Sequence, residues 1–378
     1  MKRNVLDLPQ KTAGGALLCA GPQEEKAWIR RFASRVGAVL LIAVGLQFVV
    51  AFADVLIGVV ISGGSEVSLS TMYMHSNLNN YVILTGVEYT LYMGIPVLVG
   101  WLMFRRFGVN VLPTKRTDAS LGIGLVLLGL GMMTAANFVG SYISMFFEMF
   151  DVSSLSMEIE QDGSASAMWL NVLVIGVLPG LLEELLFRGV ILQGLRPAGD
   201  MQALLCSSLM FGLMHGTMSQ IPFAFVLGLV FGYITLKTGN ILWTMGLHAF
   251  NNGAAVLMEY WLLDMSDEQA GKFYLLFFAV ETLLGVIGMA VLMMRDRTRV
   301  PPVGDRVSSW LTKKQRYRAV FGVATMIVFI VVMALITVGS MKVADSGLAD
   351  EVYGEEETPS VDISGENQSA RVFAEVLR

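Results

Sequence analysis

The sequence predicts an all-α protein that crosses a lipid bilayer about nine times. Its 378 residues are 54% hydrophobic and 15% charged, whereas about 25% of the residues in soluble globular domains are charged. The mean hydropathy is +0.63, and apolar stretches of membrane-spanning length recur along the chain. These observations favour a polytopic membrane protein over a soluble enzyme with a single anchor.

Nine apolar segments approach the roughly 20 residues that a helix needs to cross the hydrocarbon core. They cover residues 36–62, 81–104, 119–148, 168–195, 201–218, 221–237, 241–262, 273–294 and 319–340. An earlier apolar run, Ala16–Ala20, is too short for a signal peptide and is soon followed by charged residues. We therefore expect the first span to be the segment that starts near residue 36.

The distribution of basic residues predicts the orientation. With the N-terminus in the cytoplasm, only Lys272, Lys342, Arg371 and Arg378 of the 26 Lys and Arg residues fall on the outer side. Such asymmetry follows the positive-inside rule and indicates an N-in, C-out topology. The two cysteines indicate no disulfide framework, and no nucleic-acid-binding motif is present, so we expect no nucleic acid among the partners.

One apolar segment contains charged residues that packing does not explain. Glu183, Glu184 and Arg188 lie in the middle of segment 168–195, and a charge near the bilayer centre costs about 2.5–3.5 kcal/mol on insertion scales. Such groups are retained when they find partners or perform chemistry. Later apolar segments supply polar or aromatic candidates, namely Phe211, His215, His248 and Asn252.

Helical spacing and depth predict that these residues converge. Residues four apart share a helix face, which pairs Glu184 with Arg188, Phe211 with His215, and His248 with Asn252. At 1.5 Å per residue, Glu183 lies about 18 Å and His215 about 21 Å from the turn that joins their two segments. His248 and Asn252 lie about 11–17 Å from the start of theirs. We expect all four to reach a similar depth.

These residue types suit hydrolysis of a peptide bond. A carboxylate in an apolar site can act as a general base, and a histidine beside it can help to activate water. A second histidine and an asparagine amide can donate hydrogen bonds to a developing oxyanion. His and Glu are also zinc ligands, so Glu183, His215 and His248 are candidate metal ligands, although no HExxH motif is present.

Three motifs in order carry a family resemblance. Glu183 to Arg188 reads EExxxR, Phe211 to His215 reads FxxxH, and His248 to Asn252 reads HxxxN. On successive predicted membrane helices they resemble the CAAX-protease and bacteriocin-processing family of intramembrane proteases, also called the Abi or CPBP family. The resemblance covers roughly residues 168–262.

The resemblance implies roles for these residues. Glu183 and His215 activate the water, His248 and Asn252 form the oxyanion site, and Glu184 and Arg188 brace the chamber. It implies a helical membrane core with a water-filled chamber, and it leaves open both a divalent metal such as zinc and a metal-free glutamate mechanism. The implied substrate is a membrane-embedded or lipidated peptide or protein, and we expect a multi-pass protein of the bacterial plasma membrane.

With this resemblance the chain divides into five segments. They are a cytoplasmic N-terminal segment (1–35), three accessory helices (36–148), the catalytic core (168–262), two C-terminal helices with a basic cytoplasmic loop at 295–318 (263–340), and an acidic tail predicted to be disordered (341–378). The remaining intramembrane polar residues, Asp54, Glu88, Asn137 and Glu281, follow no partner pattern.

Other interpretations remain open at this stage. The glutamates are compatible with a structural ion-pair network, His215 with a hydrogen-bonded core histidine, and Asn252 with helix-packing contacts. A non-catalytic membrane scaffold or bacteriocin-immunity protein of the same fold is one alternative function. A proton-coupled transporter is another, because intramembrane Glu and His also suit proton relays.

Overall fold

The computed structural model describes residues 19, 21–150, 152–154, 164–295 and 310–343. The all-α prediction is confirmed, because nearly all of these residues are helical. The helices are α1 Pro22–Ser62, α2 Leu69–Ser76, α3 Leu78–Tyr89, α4 Ile95–Arg105, α5 Ala119–Glu148, α6 Ala165–Asn171, α7 Leu178–Glu184, α8 Leu192–Leu195, α9 Asp200–Met214, α10 Gln220–Thr238, α11 Leu242–Leu262, α12 Asp267–Arg295, α13 Lys313–Phe321 and α14 Ala324–Gly339.

Three π-helical segments join some of these helices end to end. Thr90–Gly94 links α3 to α4, Val172–Val177 links α6 to α7, and Leu185–Ile191 links α7 to α8. A 3₁₀ turn then connects α8 to α9. Wide turns of this kind are rare and occur frequently at functional sites, and two of them flank the glutamates of α7.

Six of the described helices are long and apolar enough to cross a membrane. They are Pro22–Ser62, Leu78–Arg105, Ala119–Glu148, Ala165–Ala198, Gln220–Thr238 and Asp267–Met294. A seventh span results if α13 and α14, which are bent by 73° at a short break, count as one. The predicted polytopic class is confirmed, whereas the count of nine and the orientation are not.

Three of the nine predicted spans are not among these six helices. The apolar helix α9 has only 15 residues, and α11, with 21 residues, is not among the six. The segment predicted as one span at 319–340 is instead broken between α13 and α14. The helix that contains the first predicted span, α1, begins at Pro22, within the predicted N-terminal segment.

The predicted loop and tail are only partly described. Residues 313–318 of the predicted basic loop belong to α13, which a capping box at Thr312 and Gln315 begins. Residues 296–309 lie outside the described residues. At the start of the predicted tail, β2 (Met341–Val343) pairs antiparallel with β1 (Val152–Ser154), and residues 344–378 lie outside the described residues.

The accessory helices are joined to the central ones by buried polar contacts. The Glu25 carboxylate in α1 is 4% exposed and accepts hydrogen bonds from the backbone N–H groups of Trp310 and Leu311. Arg316 of α13 donates to the carbonyl oxygen of Ala198 at 3.0 Å. Helices α1 and α13 therefore pack beside the turn that joins α8 to α9.

Glycines allow α5 and α12 to pack backbone against backbone. A Cβ added to Gly285 would lie 2.7 Å from the Cα of Gly131, so the helices must separate to accept it. We expect Gly285→Ala to destabilise the fold by about 1–3 kcal/mol through overpacking, measured as a lower midpoint of thermal unfolding in detergent. The control is Gly45→Ala, whose added Cβ meets nothing within 4 Å. Equal midpoints for the two variants would contradict this expectation.

Candidate active site

The two glutamates predicted as site residues end α7, between two π-helical segments. Glu184 is fully buried, and the side chain of Glu183 is 13% exposed. Successive residues on a helix point about 100° apart, so neighbouring carboxylates face different surroundings. The structure therefore gives each glutamate a partner of its own, Tyr89 for Glu183 and Arg188 for Glu184, while His248 faces both.

Glu184 pairs with Arg188, as the i,i+4 spacing predicts. Arg188 Nη1 donates to Glu184 Oε1 at 2.6 Å, and the arginine is 2% exposed. The Arg188 guanidinium carbon lies 4.2 Å from the ring centre of Phe211 and 5.0 Å from that of Phe231. Two aromatic faces and one carboxylate thus replace water around this cation.

His248 lies between the two glutamates. Its Nδ1 is 3.0 Å from Glu184 Oε1, and its Nε2 is 3.8 Å from Glu183 Oε2. Because an ionised carboxylate only accepts hydrogen bonds, Nδ1 carries the proton in the contact with Glu184. Nε2 is therefore directed toward Glu183, too far for a direct hydrogen bond and close enough to share a water.

His215 joins this cluster through Phe211. Its Nδ1 lies 2.9 Å from the carbonyl oxygen of Phe211, to which it donates because a carbonyl oxygen only accepts. The Phe211 ring contacts the rings of His215 and His248 edge to face, at 5.0 Å and 5.9 Å between centroids. In the part of the chain that the structure describes, no hydrogen bond or ion pair joins His215 to Glu183.

Asn252 is hydrogen-bonded to the backbone of a neighbouring helix. Its Nδ2 donates to the carbonyl oxygen of Ile175 at 3.4 Å, and its Oδ1 accepts from Asn251 at 2.9 Å. These contacts fit the helix-packing interpretation. The role of Asn252 at an oxyanion site stays a prediction.

Glycines bring α11 close to the helix that carries the glutamates. A Cβ at Gly180 would lie 2.6 Å from the backbone nitrogen of Ala249, next to His248, and one at Gly176 would lie 2.8 Å from the Cα of Gly253. Gly180 therefore permits a close helix approach, which places His248 against both carboxylates.

The same principle positions α9 against α10. A Cβ at Gly228 would lie 2.9 Å from the Cα of Ser208, and one at Gly232 would lie 2.5 Å from Leu204 Cδ1. The GxxxG spacing of these two glycines therefore allows the helices to approach closely. It keeps Phe211 of α9 and Phe231 of α10 both against Arg188.

A comparison with known protein families bears on this set of side chains. Residues 165–254 match the family model described as Type II CAAX prenyl endopeptidase Rce1-like. The resemblance predicted from the three motifs is confirmed over this segment. No curated protein and no solved structure gives a significant match to the chain.

The matched CAAX-endopeptidase segment holds every predicted site residue. Glu183, Glu184 and Arg188 lie in the helix that spans Ala165–Ala198, and the histidines lie in or next to α9 and α11. α1 to α5 precede the segment, and α12 to α14 follow it. These flanking helices are therefore accessory to the CAAX-endopeptidase segment in sequence, although they pack against it.

Tyr89 is a site residue that the motifs do not reveal. It ends α3, outside the matched segment, and its hydroxyl donates a short hydrogen bond to Glu183 Oε1. A tyrosine among many aromatic residues in apolar helices carries no signal in a single sequence. Phe231 was missed for the same reason, although it contacts both Arg188 and His248.

The arrangement does not fit a metal centre. Zinc sites in enzymes use three protein ligands, and no group of three or more His, Cys, Asp or Glu in the described ranges is arranged to hold a metal. Of the predicted ligands, only Glu183 and His248 approach each other, at 3.8 Å. No step proposed below passes through a metal.

Three of the four unassigned polar residues have structural partners. Asp54 accepts hydrogen bonds from the backbone and hydroxyl groups of Ser70. Glu281 accepts from the Thr134 hydroxyl at 2.8 Å, and Asn137 donates to the carbonyl oxygen of Met133 at 3.2 Å. These contacts satisfy the buried groups locally and give them no link to Glu183.

Proposed function

We propose that this protein is an intramembrane endopeptidase of the CAAX type in which Glu183 activates the attacking water. The observation that supports this most is the position of Glu183 Oε2, 3.8 Å from Nε2 of a histidine whose other nitrogen contacts Glu184. The family match supports a protease of this class, and the apolar helices support a reaction within a membrane.

The two imidazoles suit different tasks. His215 uses its protonated Nδ1 on the Phe211 carbonyl, so its Nε2 is free to accept a proton when the ring is neutral. We assign His215, with Glu183, to hold and activate the water, whose proton Glu183 takes. The water and the peptide substrate fill the space between His215 and Glu183. Contacts between catalytic groups are often long when no substrate is bound.

His248 is suited to donate a hydrogen bond. Glu183, Glu184 and Arg188 together carry one net negative charge, and a protonated His248 makes the cluster neutral. With Nδ1–H on Glu184, the imidazolium Nε2–H is then available to the oxyanion that forms as water adds to the peptide carbonyl. Glu183 passes the proton it took from water to the leaving amine, which completes hydrolysis.

The surroundings of the site fit a substrate attached to a lipid. An apolar cavity of about 230 Å³ lies between α4, the loop that follows it and the helix of the glutamates. It is lined in part by Trp101, Leu185 and Val190, and Leu185 directly follows Glu184. We assign this cavity to the hydrocarbon chain of a lipidated substrate.

The test uses the full chain reconstituted in liposomes. The probe is an internally quenched peptide with a farnesylated cysteine followed by three residues, which reproduces the prenylated CAAX pattern, and the same peptide without the lipid is the comparison. We expect cleavage after the cysteine, faster for the farnesylated peptide. Absence of cleavage of both peptides by the intact protein would reject the proposal.

His215→Ala tests the histidine that we assign, with Glu183, to activate the water. We expect kcat/KM to fall about a hundredfold or more, because general base catalysis contributes roughly 10²–10⁴, with the thermal midpoint close to that of the unaltered protein. The matched control is His75→Ala, since the His75 side chain is 58% exposed and its polar contact among the described residues is with Glu66. Unchanged cleavage by His215→Ala would remove His215 from the mechanism.

A further inference from the structure

The helix that lies next to the glutamates belongs to the accessory part of the chain. α3 and the π-helical segment Thr90–Gly94 pack against Val172–Val177 and α7. A Cβ at Gly86 would lie 3.0 Å from Val174 Cγ2, so this glycine permits the close approach. One turn further along, Tyr89 meets Glu183.

The two oxygens of the Glu183 carboxylate face different groups. The Tyr89 hydroxyl donates to Oε1, whereas Oε2 is the atom that lies 3.8 Å from His248 Nε2. A glutamate carboxylate otherwise rotates broadly about its last side-chain bond. Holding one oxygen therefore directs the other toward the histidine and the space where a shared water fits.

The neighbouring residues fix the position of Tyr89. Its ring packs edge to face against the Tyr92 ring, with centroids 5.1 Å apart. The Thr90 hydroxyl donates to the Gly86 carbonyl at 2.8 Å at the start of the π-helical segment, so the widened turn begins directly after Tyr89. Functional groups are commonly oriented by widened turns of this kind.

We infer that Tyr89 is a positioning residue for the reaction, which orients the Glu183 carboxylate from a helix outside the matched CAAX-endopeptidase segment. This inference rests on the proposed function, because it gives Glu183 the role of base. It assigns α3 a part in catalysis that the three motifs do not contain. Tyr89 acts through Glu183 and does not touch the reacting atoms.

The test is Tyr89→Phe, which removes one oxygen and keeps the ring. With the farnesylated quenched peptide we expect kcat to fall about tenfold to a hundredfold, as for loss of a hydrogen bond to a charged group. KM should stay within about twofold, because peptide and lipid contacts are untouched. The thermal midpoint in detergent should stay close to that of the unaltered protein.

The matched control is Tyr92→Phe. The Tyr92 ring is the packing partner of Tyr89, and its hydroxyl makes no hydrogen bond within the described residues, so kcat should be unchanged. A Tyr89→Phe kcat within twofold of the unaltered protein, or equal losses in both variants, would overturn the inference. A rise in KM alone would also overturn it, since it would place Tyr89 in substrate binding.

The outcome separates this inference from the proposed function. If the intact protein cleaves the probe and Glu183→Gln does not, while Tyr89→Phe is unimpaired, the proposed function stands and the role of Tyr89 is rejected. If the intact protein cleaves neither peptide, the proposed function is rejected and the inference is rejected with it.

Discussion

Glu183→Gln is expected to lower kcat/KM for the farnesylated peptide by about a hundredfold to ten-thousandfold, the range that general acid–base catalysis contributes. The amide has nearly the same shape as the carboxylate, and its oxygen can still accept the Tyr89 hydrogen bond. It cannot take a proton from water at neutral pH. The loss should therefore appear in the chemical step, with expression and thermal midpoint retained.

The control for Glu183→Gln is Glu281→Gln. Glu281 is also a buried glutamate within an apolar helix, at 5% exposure. It accepts a hydrogen bond from Thr134, which is not a residue of the candidate site. This variant should cleave at the rate of the unaltered protein. Cleavage by Glu183→Gln at a similar rate would exclude Glu183 as the base and favour a role for the cluster in structure alone.

Arg188→Ala is expected to destabilise the protein by about 3–5 kcal/mol, the cost of removing one partner from a buried ion pair. Glu184 is fully buried, and without Arg188 it keeps only the contact with His248. The substitution also removes the cation between the Phe211 and Phe231 rings. The measurement is the thermal midpoint in detergent, together with kcat/KM at a temperature where the variant remains folded.

A double variant separates the charge from the packing. Arg188→Met with Glu184→Gln removes both charges and keeps similar volumes, and such replacements are often close to neutral for stability. We expect it to recover most of the lost thermal midpoint. It should remain poorly active, because a neutral amide does not stabilise an imidazolium at His248. An Arg188→Ala midpoint equal to that of the unaltered protein would show that this ion pair contributes little to folding.

The site was predictable where local geometry decides the contact. The Glu184–Arg188 pair follows from i,i+4 spacing, and it forms at 2.6 Å. The GxxxG at Gly228 and Gly232 predicts a close helix contact, and both glycines face α9. Each of these requires only the rise and rotation of one helix, which hardly vary between proteins.

The contacts between helices were less predictable. The similar depths calculated from the sequence predict that Glu183, His215 and His248 lie at one level in the membrane. Depth does not determine how each helix is rotated about its axis. The structure puts His248 beside Glu183 and His215 against the Phe211 ring, with no hydrogen bond or ion pair between His215 and Glu183 among the described residues. The close approach of Gly180 to Ala249 helps to decide this rotation, and a single sequence does not show which helices a glycine brings together.

The chain's composition alone determined that this is a helical membrane protein, because hydropathy and helical spacing are properties of neighbouring residues. The order of its three motifs carried the resemblance that the family match supports over residues 165–254. The tertiary structure decided which imidazole nitrogen faces which carboxylate, and it brought Tyr89 to Glu183 across 94 residues of sequence. Such contacts depend on the rotation and offset of packed helices, which the packing of all the side chains sets together.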